Sequence, residues 1–182
     1  ALIITAFLAK APEYPQYLFY GFFTLDSFTH FFRLAALGIV AVTIIASMGY
    51  SLLPKNAEGE YYSLFLFMAF ALILMAAAKN LLMIFLAIEF VSILSYILTG
   101  FLKSDTRSKE ASIKYLLFGT LASGIMLYGM SLHYGISGSL ELGVIGTAMA
   151  NPDFSKIGLI AFVCFLVGLG FKISMAPFHM WA

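Results

Sequence analysis

Charge is scarce in this sequence, and cysteine and proline are scarcer still. Of 182 residues only 10% are charged, one is cysteine and five are proline. With 62% of residues hydrophobic and a mean hydropathy of +0.99, there is too little polar surface to cover the chain in water. The shortage of charge excludes a water-soluble globular domain and predicts a membrane protein in contact with lipid. Ten basic and nine acidic residues leave a net charge of +1, which excludes the strongly basic surface that nucleic acid or another polyanion would need. The lone cysteine, Cys164, lies in an apolar run. That rules out a disulfide framework or a multi-cysteine metal or iron-sulfur site, and the residue reads as buried filler.

What the chain does have is long apolar runs. A helix rising 1.5 Å per residue needs roughly 17 to 25 residues to cross a hydrocarbon layer about 30 Å thick. Such stretches fall at about 28–53, 61–78, 80–101, 110–133 and 156–178, after a partial one at 1–9. Between them lie charged or turn-forming segments: residues 10–27, "PKNAEGE" at 54–60, "LKSDTRSKE" at 102–110, and a Gly-rich stretch at 134–155 in which Asn151 or Asp153 would start the next helix. Lys79-Asn80 is so brief a break that the spans on either side form a tight antiparallel hairpin. The chain opens inside an apolar run without Met and closes on "APFHMWA" without a polar tail, so a piece of a longer protein is expected. The expected architecture is an all-α polytopic bundle of transmembrane helices with a proline-broken helix near its C-terminal end. Lys and Arg divide evenly between the two sides, and the density of charge in loop 102–110 assigns that loop to the cytoplasm.

Three of the charges within these runs call for explanation. Glu89 sits about ten residues from either end of its span, roughly 15 Å from each surface, too deep for a short carboxylate to reach water. A charge there costs about 2.5 to 3.5 kcal/mol and calls for a partner or a wet cavity. Ser92, Tyr96 and Thr99 follow at i+3, i+7 and i+10, so one face of the helix is polar and turned toward protein. Lys172 lies sixteen residues beyond Lys156 with no charge between them, about 24 Å along a straight helix. Pro177 cannot donate to the carbonyl of Ile173, and Gly168 and Gly170 loosen the preceding turn, so the helix should break beside Lys172 and line a hydrated cavity. Lys114 comes only a few residues into its span, where its stem could snorkel to the surface. His179 is seven residues after Lys172 and suits either a proton relay or the interface. His30 and His133 read as unremarkable residues near loop ends, and Arg33 as a snorkelling side chain.

Other signals dissolve on inspection. "GLG" at 168–170 has neither a preceding strand nor a third glycine and is no dinucleotide loop. Gly119 and Ser123 form a small-xxx-small pair suited to close helix approach. Nineteen Phe and ten Tyr are lipid-facing bulk and interfacial belt.

Three segments, "LLMIFLAIEFVSILSYILTGF", "RSKEASIKYLLFGTLASGIMLYGMSLHYGISGSL" and "VGLGFKISMAPFHMW", resemble in order and spacing the subunit N family of NADH:quinone oxidoreductase, respiratory complex I. "TLDSFTHFFR" is similar to the start of that family's third helix. The resemblance implies an antiporter-like fold of fourteen helices, of which this chain would hold the end of helix two through the broken helix seven. It implies that Glu89 in "LAIEF", Lys114 in "EASIKY" and Lys172 in "GFKISMAPFH" are the family's buried glutamate and lysines. By the same resemblance the chain would bind no cofactor itself. NAD, FMN, iron-sulfur clusters and quinone would belong to other subunits of a complex whose membrane-arm neighbours are its partners, in the bacterial cytoplasmic membrane or an organellar equivalent.

The expected mechanism makes Glu89 and Lys114 a tuning pair and Lys172 the proton carrier, with His179 as a further relay position. A dry lysine holds its proton weakly and a nearby carboxylate restores the affinity. At about 6 Å and an effective dielectric near 20 the coupling is about 2.8 kcal/mol. Two other readings remain at this point: a subunit of a multisubunit sodium/proton antiporter, with the same fold and buried charges, and a non-transporting scaffold whose charges serve only helix packing.

Overall fold

The first long helix begins where a side chain supplies a missing backbone partner. In the computed structural model, which describes residues 10, 12–51, 53–151 and 155–179, the Asp26 carboxylate accepts from the N–H of Thr29 at 2.8 Å and opens α1, Ser27–Ser47. Its 21 residues rise about 31 Å, one hydrocarbon thickness. A turn through Gly49, at φ 83°, then ends the span six residues before the expected boundary at 53. A single turn of 3₁₀ helix leads into α2, Glu58–Ala77. The hairpin expected at Lys79-Asn80 is present: Asn80 accepts from the N–H of Leu82 at 2.9 Å and starts α3, Leu81–Thr99.

Asp105 caps the following helix by accepting from the N–H of Arg107 at 2.9 Å. This helix, α4, runs Thr106–Ser137, beyond both ends of the expected 110–133. Its 32 residues rise about 48 Å, more than a bilayer core needs, so the turn carrying Arg107, Lys109 and Glu110 stands outside the hydrocarbon. It stops at Gly138, whose φ of 64° is the left-handed conformation that glycine adopts without penalty.

Two features of the loops differ from the sequence reading. Residues 10–27 contain a small antiparallel ribbon of β1, Gln16–Leu18, and β2, Phe23–Leu25, paired in the register Tyr17↔Thr24. The Gly-rich stretch 134–155 contains a short helix, α5, Leu142–Met149. Both meet the α2–α3 hairpin at one end of the bundle: the N–H of Lys79 donates to Phe22 O at 3.0 Å, and that of Leu81 to Leu140 O at 2.9 Å. The residues beside the ribbon and the short helix thus give backbone partners to the N–H groups of the hairpin turn.

The last described helix, α6, is Ser155–Lys172, shorter than the expected 156–178. Its end is set before Pro177 is reached. Ser174 turns left-handed at φ 52°, its N–H donates to Phe171 O at 3.1 Å, and the N–H of Met175 donates to Gly170 O at 2.8 Å. This is the 6→1 and 5→2 pattern of a Schellman cap. Pro177 follows as the residue that cannot resume the helix. Residues 1–9 and Asp153 lie outside the described residues.

Successive helices pack as antiparallel neighbours, α1 on α2, α2 on α3 and α3 on α4, with α4 and α6 in the most extensive contact. Glycines allow that last approach. A Cβ on Gly129 would lie 2.6 Å from Ala161 O, and one on Gly168 would collide with Met126, which is fully buried. Leu37, Val40 and Ala69 fill the α1–α2 seam; Leu81, Met130 and Ile145 join α3, α4 and α5. Ile39, Val42, Phe67, Leu117, Leu121 and Leu159 are exposed, as side chains that face lipid must be. Among the described residues four helical stretches, Ser27–Ser47, Lys55–Ala77, Leu81–Thr99 and Thr106–Ser137, are long and apolar enough to cross a membrane. The chain is an all-α, multi-pass membrane bundle.

Gly129→Val is expected to force α4 off α6 and to cost about 1 to 3 kcal/mol. Gly124→Ala, where an added Cβ meets nothing within 4 Å, should be neutral or stabilising by up to about 1 kcal/mol. Thermal unfolding of the detergent-solubilised protein distinguishes the two.

Candidate functional site

Glu89 sits near the middle of α3, on the side from which Ser92 and Tyr96 also project. Ser92 and Tyr96 are buried, and Thr99, expected on the same stripe, is exposed at the helix end. Lys172 arrives from another helix. As the last residue of α6 it lies where the helix dipole is negative and a cation is favoured. The carbonyls that the helix end would leave open, Leu169, Gly170 and Phe171, accept from the N–H groups of Ile173, Met175 and Ser174. These three carbonyls are therefore taken up by the chain's own cap, and Lys172 finds side-chain partners.

Those partners are on α3. The Lys172 ammonium is 3.1 Å from Glu89 Oε1 and donates to Ser92 Oγ at 2.6 Å and to the Tyr96 hydroxyl at 3.4 Å. The two charged side chains are 12% and 21% exposed. The Ser123 hydroxyl, from α4, donates to the same Glu89 oxygen at 2.6 Å. Gly119 makes room for this arrangement, since a Cβ there would collide with the Tyr96 ring and hydroxyl. Three helices thus converge on one carboxylate, while α3 and α6 themselves are not among the closely packed pairs.

This geometry corrects the expected pairing. Glu89 is coupled to Lys172 and not to Lys114. Lys114 instead reaches back one turn on its own helix to Glu110, at 2.5 Å, with both side chains more than half exposed at 64% and 60%. Position early in the span, which allowed snorkelling, prevails because α4 starts four residues before the expected boundary and carries this turn outward. Lys114 lines a recess of about 350 Å³ with Thr99, Arg107, Glu110, Tyr115 and the apolar Ala111 and Phe118. From that recess Tyr115 meets Tyr96 edge to face, with ring centroids 4.6 Å apart, and Tyr96 in turn touches Lys172. His179 lies beyond the cap, exposed, and among the described residues no hydrogen bond joins it to Lys172. At 3.1 Å the bare attraction between the charges is about 5 kcal/mol for an effective dielectric near 20, before the cost of desolvating both.

Ser123 is the residue whose role the sequence concealed. Its spacing from Gly119 marked it as a packing position, and so it is, but it is also the carboxylate's hydrogen-bond donor. A hydroxyl on the face that packs against an acid-bearing helix is the signal that distinguishes the two. His133, read as unremarkable, is 4% exposed and its Nδ1 has no hydrogen-bond partner among the described residues.

Residues 78–182 match the family model described as "NADH:quinone oxidoreductase/Mrp antiporter, TM". The chain belongs to this family. Among curated proteins it is similar to NADH-quinone oxidoreductase subunit N 2 of Chloroherpeton thalassium, 39% identical over 92% of the chain and 34% of that protein. It is also similar to subunit N 2 of Acidobacterium capsulatum, 43% identical over 81% of the chain and 30% of that protein. The chain therefore spans about a third of the length of these relatives. Among solved structures it resembles a chain of respiratory complex I from Thermus thermophilus, with TM-score 0.75, 32% identity and coverage of 98% of this chain and 37% of that one. It also resembles a chain of a membrane-bound sulfane sulfur reductase, an archaeal respiratory membrane complex, with TM-score 0.74, 25% identity and coverage of 85% and 31%. The antiporter-like fold expected from the sequence motifs is the fold observed.

Lys172→Met would leave the Glu89 carboxylate beside Ser123 without its counter-charge and should destabilise the protein by about 3 kcal/mol. Lys114→Met breaks only an exposed i,i+4 pair and should leave the stability nearly unchanged. Parallel melting curves of the two variants test the ranking.

Proposed function

We propose that this chain is part of a proton-translocating membrane-arm subunit of an NADH:quinone oxidoreductase, corresponding to subunit N, in the bacterial cytoplasmic membrane with loop 102–110 on the cytoplasmic side. The observation that carries this reading is the Glu89–Lys172 ion pair, held at 3.1 Å between helices in a span otherwise free of charge. The names of the similar proteins support the assignment to complex I. Such a subunit would transfer no electrons; NAD, FMN, iron-sulfur clusters and quinone would sit in other subunits of the complex, which are its partners.

In this mechanism Lys172 carries the proton. With Glu89 ionised at contact distance the ammonium is stabilised, and when the carboxylate moves away or is neutralised the amine is left in a medium that disfavours its charge, so it releases the proton. The route of uptake runs from the recess at Lys114 and Glu110 past Tyr115 and Tyr96, whose hydroxyl already touches Lys172. Lys114 acts here only as a charge at the mouth of the route, paired with Glu110. We assign no step to His179, which lies past the helix end.

A second reading has a specific observation in its favour, because the description of the matching family model covers the Mrp antiporters as well. Purification separates the two. A subunit of complex I co-purifies with flavin and iron-sulfur proteins and supports NADH oxidation, whereas an antiporter subunit does neither. A scaffold without transport is separated by the mutants below.

In the assembled complex Glu89→Gln or Lys172→Ala should lower quinone reductase turnover and proton pumping together, by about tenfold or more, the equivalent of 1.4 kcal/mol or more in barrier height. Lys114→Arg, which keeps the charge, should be milder. Undiminished pumping in the Glu89→Gln, Lys172→Ala double variant would remove the pair from the path.

A further inference from the structure

The ion pair is flanked by two buried hydroxyls of opposite polarity. Ser92, 4% exposed, donates its only hydroxyl proton to Ile88 O at 2.8 Å, so it can offer nothing but lone pairs to the Lys172 ammonium 2.6 Å away. Ser123, 7% exposed, points its only hydroxyl proton at Glu89 Oε1, 2.6 Å away. One hydroxyl is thus committed as an acceptor to the amine and the other as a donor to the acid. Hydrogen bonds to a charged form favour that form, and those to ionised groups are roughly twice as strong as neutral ones. Both serines therefore act in the same direction, toward the separated charges.

Resting on the relay reading above, we propose that Ser92 and Ser123 are positioning residues that hold Glu89 and Lys172 ionised, and that Ser123 is the rotor which sets when Glu89 can take up a proton. A serine within a helix has an alternative acceptor in the carbonyl four residues back, the bond that Ser92 already makes. For Ser123 that carbonyl belongs to Gly119. With the hydroxyl turned toward Glu89 the carboxylate is stabilised. With it turned back along α4 the acid loses a donor, and protonation of Oε1 becomes easier. The close fit of α4 on α6 holds the helix in place, so the change needs only rotation of the serine side chain about its own bonds.

The test uses the full-length subunit in the assembled complex, in native membranes. The protonated carboxyl stretch of Glu89, identified by its loss in Glu89→Gln, is followed by infrared difference spectroscopy between pH 5 and 10, with quinone reductase turnover measured over the same range. Ser123→Ala should move the appearance of the band, and the matching limb of the turnover profile, toward higher pH by about one unit. Ser123→Thr, which keeps a hydroxyl, should restore the wild-type profile, and Ser92→Ala should move the limb that reports Lys172 in the opposite direction. The inference is overturned if Ser123→Ala titrates as wild type does, or if no Glu89 band appears in either protein. Failure of the relay itself has a different signature, normal pumping in the Glu89→Gln, Lys172→Ala double variant, whatever the infrared spectra show.

Discussion

A carboxylate and an ammonium held in contact away from water organise this molecule. Neither charge could remain where it is alone, because each would face the desolvation cost of an unpaired ion in hydrocarbon. Together they offset that cost, provided the remaining donors and acceptors are filled, and the surrounding sequence supplies these: a serine from α3, a serine from α4 and a tyrosine hydroxyl. The cap that ends α6 belongs to the same arrangement. It stops the helix at Lys172, brings the ammonium to the negative end of the helix dipole, and disposes of the backbone carbonyls that would otherwise compete for it.

Much of this could be read in the sequence, for identifiable reasons. Spans were legible because the bilayer imposes a length, and a run such as 80–101 can do little else. The polar face of α3 was legible because helical spacing places Glu89, Ser92 and Tyr96 on one side. Helix ends were not. The turn at Gly49 and the cap at Ser174 depend on single backbone conformations, and the 32 residues of α4 exceed what the membrane asks for, so hydrophobicity sets neither end. The short helix at Leu142–Met149 and the β ribbon were hidden for a similar reason. Both are docked on the α2–α3 hairpin through bonds between residues distant in sequence, Lys79 to Phe22 and Leu81 to Leu140, and no local pattern announces that.

The partner of Glu89 was the least legible element. The resemblance made Lys114 the tuning partner of Glu89 and Lys172, 83 positions along the chain from the acid, a separate carrier, and helix packing pairs Glu89 with Lys172 instead. Once α4 lies flush against α6, the end of α6 is delivered beside the middle of α3, while the first turns of α4 project out of the bundle with Lys114 on them. The deciding residues are the glycines at 129 and 168, whose only contribution is absence of bulk. The same glycines and Ser123 account for a site in which a hydroxyl from a third helix reaches the acid.

The close fit of α4 and α6 has a mechanical corollary. Two helices in contact at the level of backbone atoms travel as one body, so Lys172 and Ser123 keep their mutual position whatever happens around them. Glu89 rides on α3, across a looser boundary. Parting the charges is therefore a displacement between α3 and the α4–α6 pair, and a push from a neighbouring protein would be felt at this site when it moves one of these two bodies against the other.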